Sequence, residues 1–269
     1  MTSKLRLNVT VCQLRSEPGA LQDDWEQLAR HVRETKSDLV LLPEMPFYPW
    51  PFWRETFVSD VWDAAVRAHD AWQARLKELA PAVVTGSRPV SENGRRLNRG
   101  FSWRPEANDP LSLGHSKFYL PDEAGFWEAS WYARGDGSFD SEALVLNYDV
   151  TVCTGFLICT ELWFMHSARA YGQAGVDLLL SPRATERRTV DKWLAGGRVA
   201  AVISGAYSLS SNHYREGDGP VDLGGLGWVI GPDGEVLALT TPRNPFVTMT
   251  IDLSRAQRAK HTYPRYVEE

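Results

Sequence analysis

The first forty-four residues alternate between two apolar patterns. LRLNVTVCQL (5–14) sets Leu5, Leu7, Val9 and Val11 at every second position, as a strand does. Residues 22–35 then carry Trp25, Leu28, Ala29 and Val32 at helical spacing. DLVLLPE (38–44) is apolar without alternation, as in a strand covered on both faces. The same sequence of patterns recurs. A broad apolar face over 60–80 predicts a second helix, and AVVTGSRPV (82–90) a third strand. Asn93-Gly94 before NRGFSW signals a hairpin. TVCTGFLIC (151–159) and VDLLLSP (176–182) read as buried strands, each followed by a helix, over 163–175 and 190–203. AYSLSSN, GWVIGPDGEVLAL folded at Pro232-Asp233-Gly234, and FVTMTIDL complete the strands. The polar stretch 255–269 has no clear period and reads as a C-terminal arm.

Strands alternating with helices predict an α/β fold. Hairpins among the crossovers call for mixed sheets. Runs such as DLVLL and DLLLS require cover on both faces of each sheet. A four-layer α-β-β-α sandwich, formed by residues 1–269 as a single domain, satisfies both demands.

Composition narrows the function. Of 269 residues, 43% are hydrophobic and 23% charged, with a net charge of −5 and no basic tract. That balance argues against nucleic acid or an anionic membrane as partner. No apolar run approaches the ~18 residues of a membrane span, and a cytoplasmic location is expected. Three cysteines are too few for a disulfide framework. Cys153 and Cys159, if on one strand, lie roughly 20 Å apart, so reduced thiols are expected. The histidines and cysteines show no zinc spacing, and no metal is expected.

In open α/β sheets functional groups gather beyond the C-terminal ends of strands. That rule selects Glu44 after DLVLLP, Cys159 after TGFLI and Arg183 after DLLLSP. Taken singly, each has an ordinary explanation: a small buried hydrophobe for the cysteine, a loop cap for the glutamate, a salt bridge for the arginine. Lys117 adds to them, in the aromatic-rich, loop-like stretch 114–137. A cysteine nucleophile needs a base to take its proton and a cation to stabilise negative charge. Glu44 and Lys117 supply both.

LPEMPF around Glu44, SKFYLPDE around Lys117 and GFLICTELWF around Cys159 resemble the three signature segments of the carbon–nitrogen hydrolase (nitrilase) superfamily, in that family's order. The resemblance covers residues 5 to 255. It implies the four-layer sandwich, a Glu-Lys-Cys triad, no cofactor, and a homodimer or higher homo-oligomer. By position, Cys159 is the nucleophile, Glu44 the general base, and Lys117 with the backbone N–H of Thr160 the oxyanion site. PDEAGFWE matches a PDxxGxxE pattern of amidase branches, which gives Glu128 the task of positioning substrate or water.

The implied activity is hydrolysis of a non-peptide C–N bond, in an amide or N-carbamoyl amide, through a Cys thioester. The segments around Lys117 and Cys159 look most like the carbamoyl-putrescine amidase type. Met165-His166 and Glu161 depart from the pattern common among amidases. A nitrilase and a non-catalytic member acting as a binding protein are the alternatives within the family; a metal-dependent phosphohydrolase is the alternative outside it. The proline-rich loop MPFYPWPFW (45–53), with Tyr48 and Trp50, joins Trp127 and Trp163 as an expected apolar substrate wall. The expected partner is therefore a small molecule with an apolar group. Arg183 is the candidate for gripping a substrate carboxylate.

Overall fold

A computed structural model of the chain describes residues 6–146 and 150–267. In chain order the elements are β1 (Arg6–Leu14), α1 (Pro18–Thr35), β2 (Leu39–Glu44), α2 (Ser59–Gln73), β3 (Val83–Glu92), β4 (Arg95–Trp103) and β5 (Leu111–Ser116). There follow the single turn α3 (Glu128–Trp131), β6 (Glu142–Val145), β7 (Thr151–Phe156), α4 (Met165–Gln173), β8 (Leu178–Arg183) and α5 (Val190–Ser204). β9 (Tyr207–His213), β10 (Trp228–Ile230), β11 (Val236–Leu239), β12 (Phe246–Asp252) and α6 (Leu253–Ala259) close the chain.

The strands form two halves. One runs β12-β1-β2-β3-β4-β5, the other β11-β10-β9-β8-β7-β6. In each half the βαβ units run parallel, and hairpin strands extend the edges antiparallel. The Asn93-Gly94 turn has φ of 50° and 73° at its two centres, which its hairpin geometry requires.

Strand parity explains the absence of alternation in β2. Leu39 and Leu41, with Val9 and Val11 of β1, belong to one core together with Leu178, Leu180 and Leu209 of the other half. Val40 and Leu42 face the opposite way, into a core with Leu21, Trp25, Leu28 and Val32 of α1. Two sheets packed face to face, with helices outside, give the four-layer α-β-β-α arrangement that the sequence implied. The halves join where β1 ends beside β9, with Gln13 opposite Asn212 and Leu14 opposite His213. The C-terminal end of β2 lies at this seam.

Five expectations about elements change. The strand expected over 151–159 stops at Phe156, and the helix expected over 163–175 starts at Met165; a 3-10 turn, Cys159–Trp163, separates them. The helix expected over 60–80 stops at Gln73 and a short 3-10 turn, Leu76–Leu79, buries the remaining leucines. The loop-like stretch from 114 opens with the end of β5, a strand too short and half-buried to alternate. The tail read as aperiodic from 255 overlaps α6, which buries Leu253, Ala256 and Ala259 at a spacing of three, mostly with small side chains. Among the described residues no helix is long and apolar enough to cross a membrane.

Candidate active site

Glu44 ends β2 and is fully buried. The backbone turns immediately afterwards at Met45, whose φ is 45° and whose N–H donates to the Ser87 carbonyl at 3.1 Å. The Glu44 carbonyl accepts from His213 Nε2 at 2.5 Å, tying the strand end to the other sheet. Burial lowers the His213 pKa to about 4, so the ring is neutral with its proton on the nitrogen facing that carbonyl.

Lys117 leaves the end of β5 with its N–H bonded to the Asn98 carbonyl at 2.8 Å. Its Nζ donates to Glu44 Oε1 at 2.7 Å and to Glu128 Oε2 at 2.6 Å, and all three side chains are shut off from solvent. Burial alone would discharge the ammonium. Glu128 and Glu44 outweigh it and hold the Lys117 pKa above the ordinary lysine value. Asn98 Nδ2 donates to Glu44 Oε1 at 2.8 Å, and the Tyr132 hydroxyl donates to Glu128 Oε2. Each carboxyl group therefore has one oxygen committed to the network. Among the described residues, none donates a hydrogen bond to Glu44 Oε2 or Glu128 Oε1. Burial raises the Glu128 pKa to about 7, with Lys117 opposing and Glu44 reinforcing the rise.

Cys159 opens the 3-10 turn with φ of 49°, in the left-handed region that a non-glycine side chain seldom occupies. The extended chain of β7 thus breaks sharply at the cysteine. Its Sγ faces the Ala184 carbonyl at 3.9 Å. Burial raises the thiol pKa, Glu44 raises it further and Lys117 lowers it, so the resting form is the thiol. The first N–H groups of a 3-10 turn have no partner within it, which leaves the Thr160 N–H available.

A cavity of about 210 Å³ lies against this turn, lined by Glu128, Cys159, Thr160 and Trp163 together with Ala184, Thr185, Lys192 and Trp193. Trp163, 43% exposed, leans on Trp193 with ring centroids 4.8 Å apart. Glu44, Lys117, Glu128 and Cys159 thus converge, and Thr160 and Trp163 join them.

Tyr48, Trp50, Trp127 and Arg183 do not line this cavity. Trp50 is buried against Phe52 at 4.7 Å with its Nε1 on the Gly125 carbonyl, and Trp127 packs in the same apolar cluster. Tyr48 is half-buried. The loop's prolines hold its aromatic rings against the protein's own core. Arg183 is fully buried, and the expected salt bridge is replaced by neutral acceptors: Ser210 Oγ at 2.7 Å, Thr185 Oγ1 at 2.9 Å and the Leu226 carbonyl at 2.7 Å. Its bond to Thr185 steadies a residue of the cavity wall.

Sequence reasoning overlooked Asn98, Tyr132, Thr185 and Trp193. Asn98 read only as part of a hairpin strand, and Tyr132 as one aromatic among many. No spacing rule connects Asn98 to a carboxylate brought from another strand, whereas Tyr132 stands four positions after Glu128, a helical spacing that could have joined them.

A sequence model of the family described as carbon-nitrogen hydrolase matches residues 8–261. The chain belongs to the carbon–nitrogen hydrolase family. Among curated relatives, omega-amidase NIT2 of Bos taurus is 27% identical over 200 residues, 72% of this chain and 69% of that protein. A carbon-nitrogen hydrolase from Helicobacter pylori G27 superposes with a TM-score of 0.81 at 20% identity, over 97% of this chain and 94% of its own. A mutant amidase from Nesterenkonia sp. AN1, with the acetamide moiety of fluoroacetamide added covalently at its active-site cysteine, superposes with a TM-score of 0.71. There the identity is 19%, covering 94% of this chain and 92% of that one. This carbon–nitrogen hydrolase shares with those structures the four-layer fold.

Proposed function

We propose that this carbon–nitrogen hydrolase is an amidase acting on small amides through a Cys159 thioester. The observation that carries the reading is the Lys117 ammonium, bonded to Glu44 and Glu128 at once beside the Cys159 turn. One cation between two carboxyl groups, with one free oxygen on each, suits a reaction that moves one proton twice.

In this reading the free oxygen of Glu44 takes the thiol proton as Cys159 Sγ attacks the amide carbon. Lys117 and the Thr160 N–H stabilise the oxyanion. Glu44 returns the proton to the leaving nitrogen, the C–N bond breaks, and ammonia or an amine departs. Water then attacks the thioester and gives its proton to Glu44. The C–S bond breaks, the carboxylic acid leaves, and the thiol is restored. Glu128 lines the cavity, and its unpaired oxygen accepts from the amide N–H or the incoming water.

The amide assignment is supported by the names of the relatives, an omega-amidase and an amidase whose cysteine takes up an acetamide group. N-carbamoyl amides place the same carbonyl before the same groups and are the second substrate class. The three cysteines are unpaired, which supports a cytoplasmic location. A homodimer follows from the resemblance, and light scattering tests it. Ammonia release from a panel of primary amides, N-carbamoyl amines and nitriles decides the function. Amide turnover that Cys159→Ala abolishes is the expected result. Nitrile turnover alone would make the protein a nitrilase, and turnover undiminished in Cys159→Ala would remove the thioester.

A further inference from the structure

Glu161 departs from the amidase pattern, and its surroundings give it work that the reaction above does not use. It is fully buried two residues after Cys159. Its Oε2 accepts from the Ile158 N–H at 2.8 Å, the residue before the nucleophile. Its Oε1 accepts from the Phe118 N–H at 2.7 Å, the residue after Lys117. A single carboxylate therefore joins the nucleophile turn to the strand end that presents the lysine.

His115 completes the arrangement. Its Nε2 lies 2.9 and 2.8 Å from the two Glu161 oxygens, and its Nδ1 lies 2.8 Å from the Ser138 carbonyl. A carbonyl and a carboxylate only accept, so both ring nitrogens must carry protons. A second contact couples the same two segments. The Tyr119 ring stacks on Phe164 with centroids 3.4 Å apart and planes at 5°.

We propose that the His115 imidazolium and the Glu161 carboxylate form a buried ion pair that positions Cys159 and Lys117 relative to each other. The inference rests on the reading of Cys159 as nucleophile. Neither residue touches substrate. The pair acts by fixing the turn in its left-handed start and the lysine at its carboxylates, where a displacement of about 1 Å costs on the order of 10²-fold in rate.

The groups facing the pair come from three sides. Asp136, the Ser138 carbonyl and the Phe139 ring, 4.6 Å from the imidazole, approach from the loop before β6. Lys117 follows on the same strand end and directs its charge to Glu44 and Glu128. Tyr171 of α4 stands near Glu161 and donates to the Phe156 carbonyl. Burial opposes the imidazolium; Glu161, the Ser138 carbonyl and Asp136 outweigh it and hold the His115 pKa above the ordinary value. The pair therefore stabilises the fold fully below the unfolded histidine pKa. That contribution fades as pH rises through the folded one.

Histidine nitrogen NMR on the wild-type protein, assigned with His115→Gln, tests the protonation state. Two N–H signals from one ring near neutral pH are expected, and a neutral tautomer would overturn the proposal. Glu161→Gln keeps the shape, loses the charge and offers an amide N–H to His115, so the ring should become neutral. In that variant kcat should fall on the order of 10²-fold with KM little changed. Alkylation of Cys159 by iodoacetamide should slow in parallel. Unchanged kcat and alkylation in a folded Glu161→Gln protein would sink the idea. If no amide is turned over even by wild type, the amidase reading fails by itself, because NMR and alkylation need no substrate.

Discussion

Lys117 Nζ sits 2.6 Å from Glu128 Oε2, yet the Glu128 pKa is raised to about 7. Burial and the neighbouring Glu44 outweigh the lysine, so at neutral pH this carboxyl group divides between its two forms. A raised folded pKa stabilises the protein fully below the unfolded value, and the contribution is lost as pH rises through about 7. Melting temperature should therefore decline between mildly acidic and neutral pH in the wild type. Glu128→Gln should flatten that decline, an effect of about 3 kcal/mol at most, while lowering kcat. A decline of equal size in both proteins would show that another group titrates.

Glu44 offers its free oxygen to a thiol whose own pKa is raised, so proton removal cannot precede attack without help. Glu44→Gln should reduce kcat by roughly 10²–10⁴-fold while substrate still binds. Alkylation of Cys159 should slow as well, since the carboxylate that takes its proton is gone. An alkylation rate equal to wild type would move the base role elsewhere.

Lys117 is the cation between two buried carboxyl groups. Lys117→Met leaves them facing each other without it, and breaking a buried pair in this way costs about 3–5 kcal/mol. Thermal unfolding should register that loss together with the loss of activity. A variant as stable as wild type would mean that one carboxyl group had taken up a proton in compensation, which the pH dependence of its melting would reveal.

The layers of the fold were legible because apolar runs without alternation demand cover on two faces, as Leu39 to Leu42 show. The charged ends of β2 and β8 and the cysteine after β7 were legible for a related reason: reactive residues stand out where a buried run stops. The corner at Cys159 was not. A left-handed residue leaves no trace when its side chain is not glycine, so TGFLIC read as one strand. Asn98 and His115 were also hidden, since each matters through a partner more than thirty positions away, and Tyr132 because the single helical turn that joins it to Glu128 lies in a stretch that reads as loop. The aromatic loop 45–53 misled because proline and aromatic density look alike in a substrate wall and in a core lid. Trp50 proved to belong to the lid.

Trp163 is held in place by a missing methyl group. A Cβ built at Gly196 would lie 3.0 Å from the Trp163 ring, which lines the cavity. Gly196→Ala should tilt the indole and alter KM for amides with bulky apolar groups, leaving kcat for the smallest amides nearly unchanged. Trp163→Ala should raise KM for the bulky substrates by about tenfold, the value of roughly 1.4 kcal/mol of lost apolar contact. Equal effects on small and bulky amides would argue that the ring shapes the catalytic turn instead of the substrate site.

Arg183 is a buried guanidinium whose three hydrogen-bond partners are neutral, with its carbon 4.0 Å from the centroid of the Trp228 ring. Burial lowers its pKa to about 9, the direction expected of a cation without a carboxylate to hold its charge. A planar fork meets Ser210, Thr185 and Leu226 together, and a lysine ammonium cannot reach all three. Arg183→Lys should therefore lose two of the bonds and roughly 2–3 kcal/mol of stability. Thr185, which also accepts from Asn212 at 2.9 Å, should stay in place and preserve partial activity. Complete loss of turnover in a folded Arg183→Lys protein would show that the arginine reaches the substrate after all.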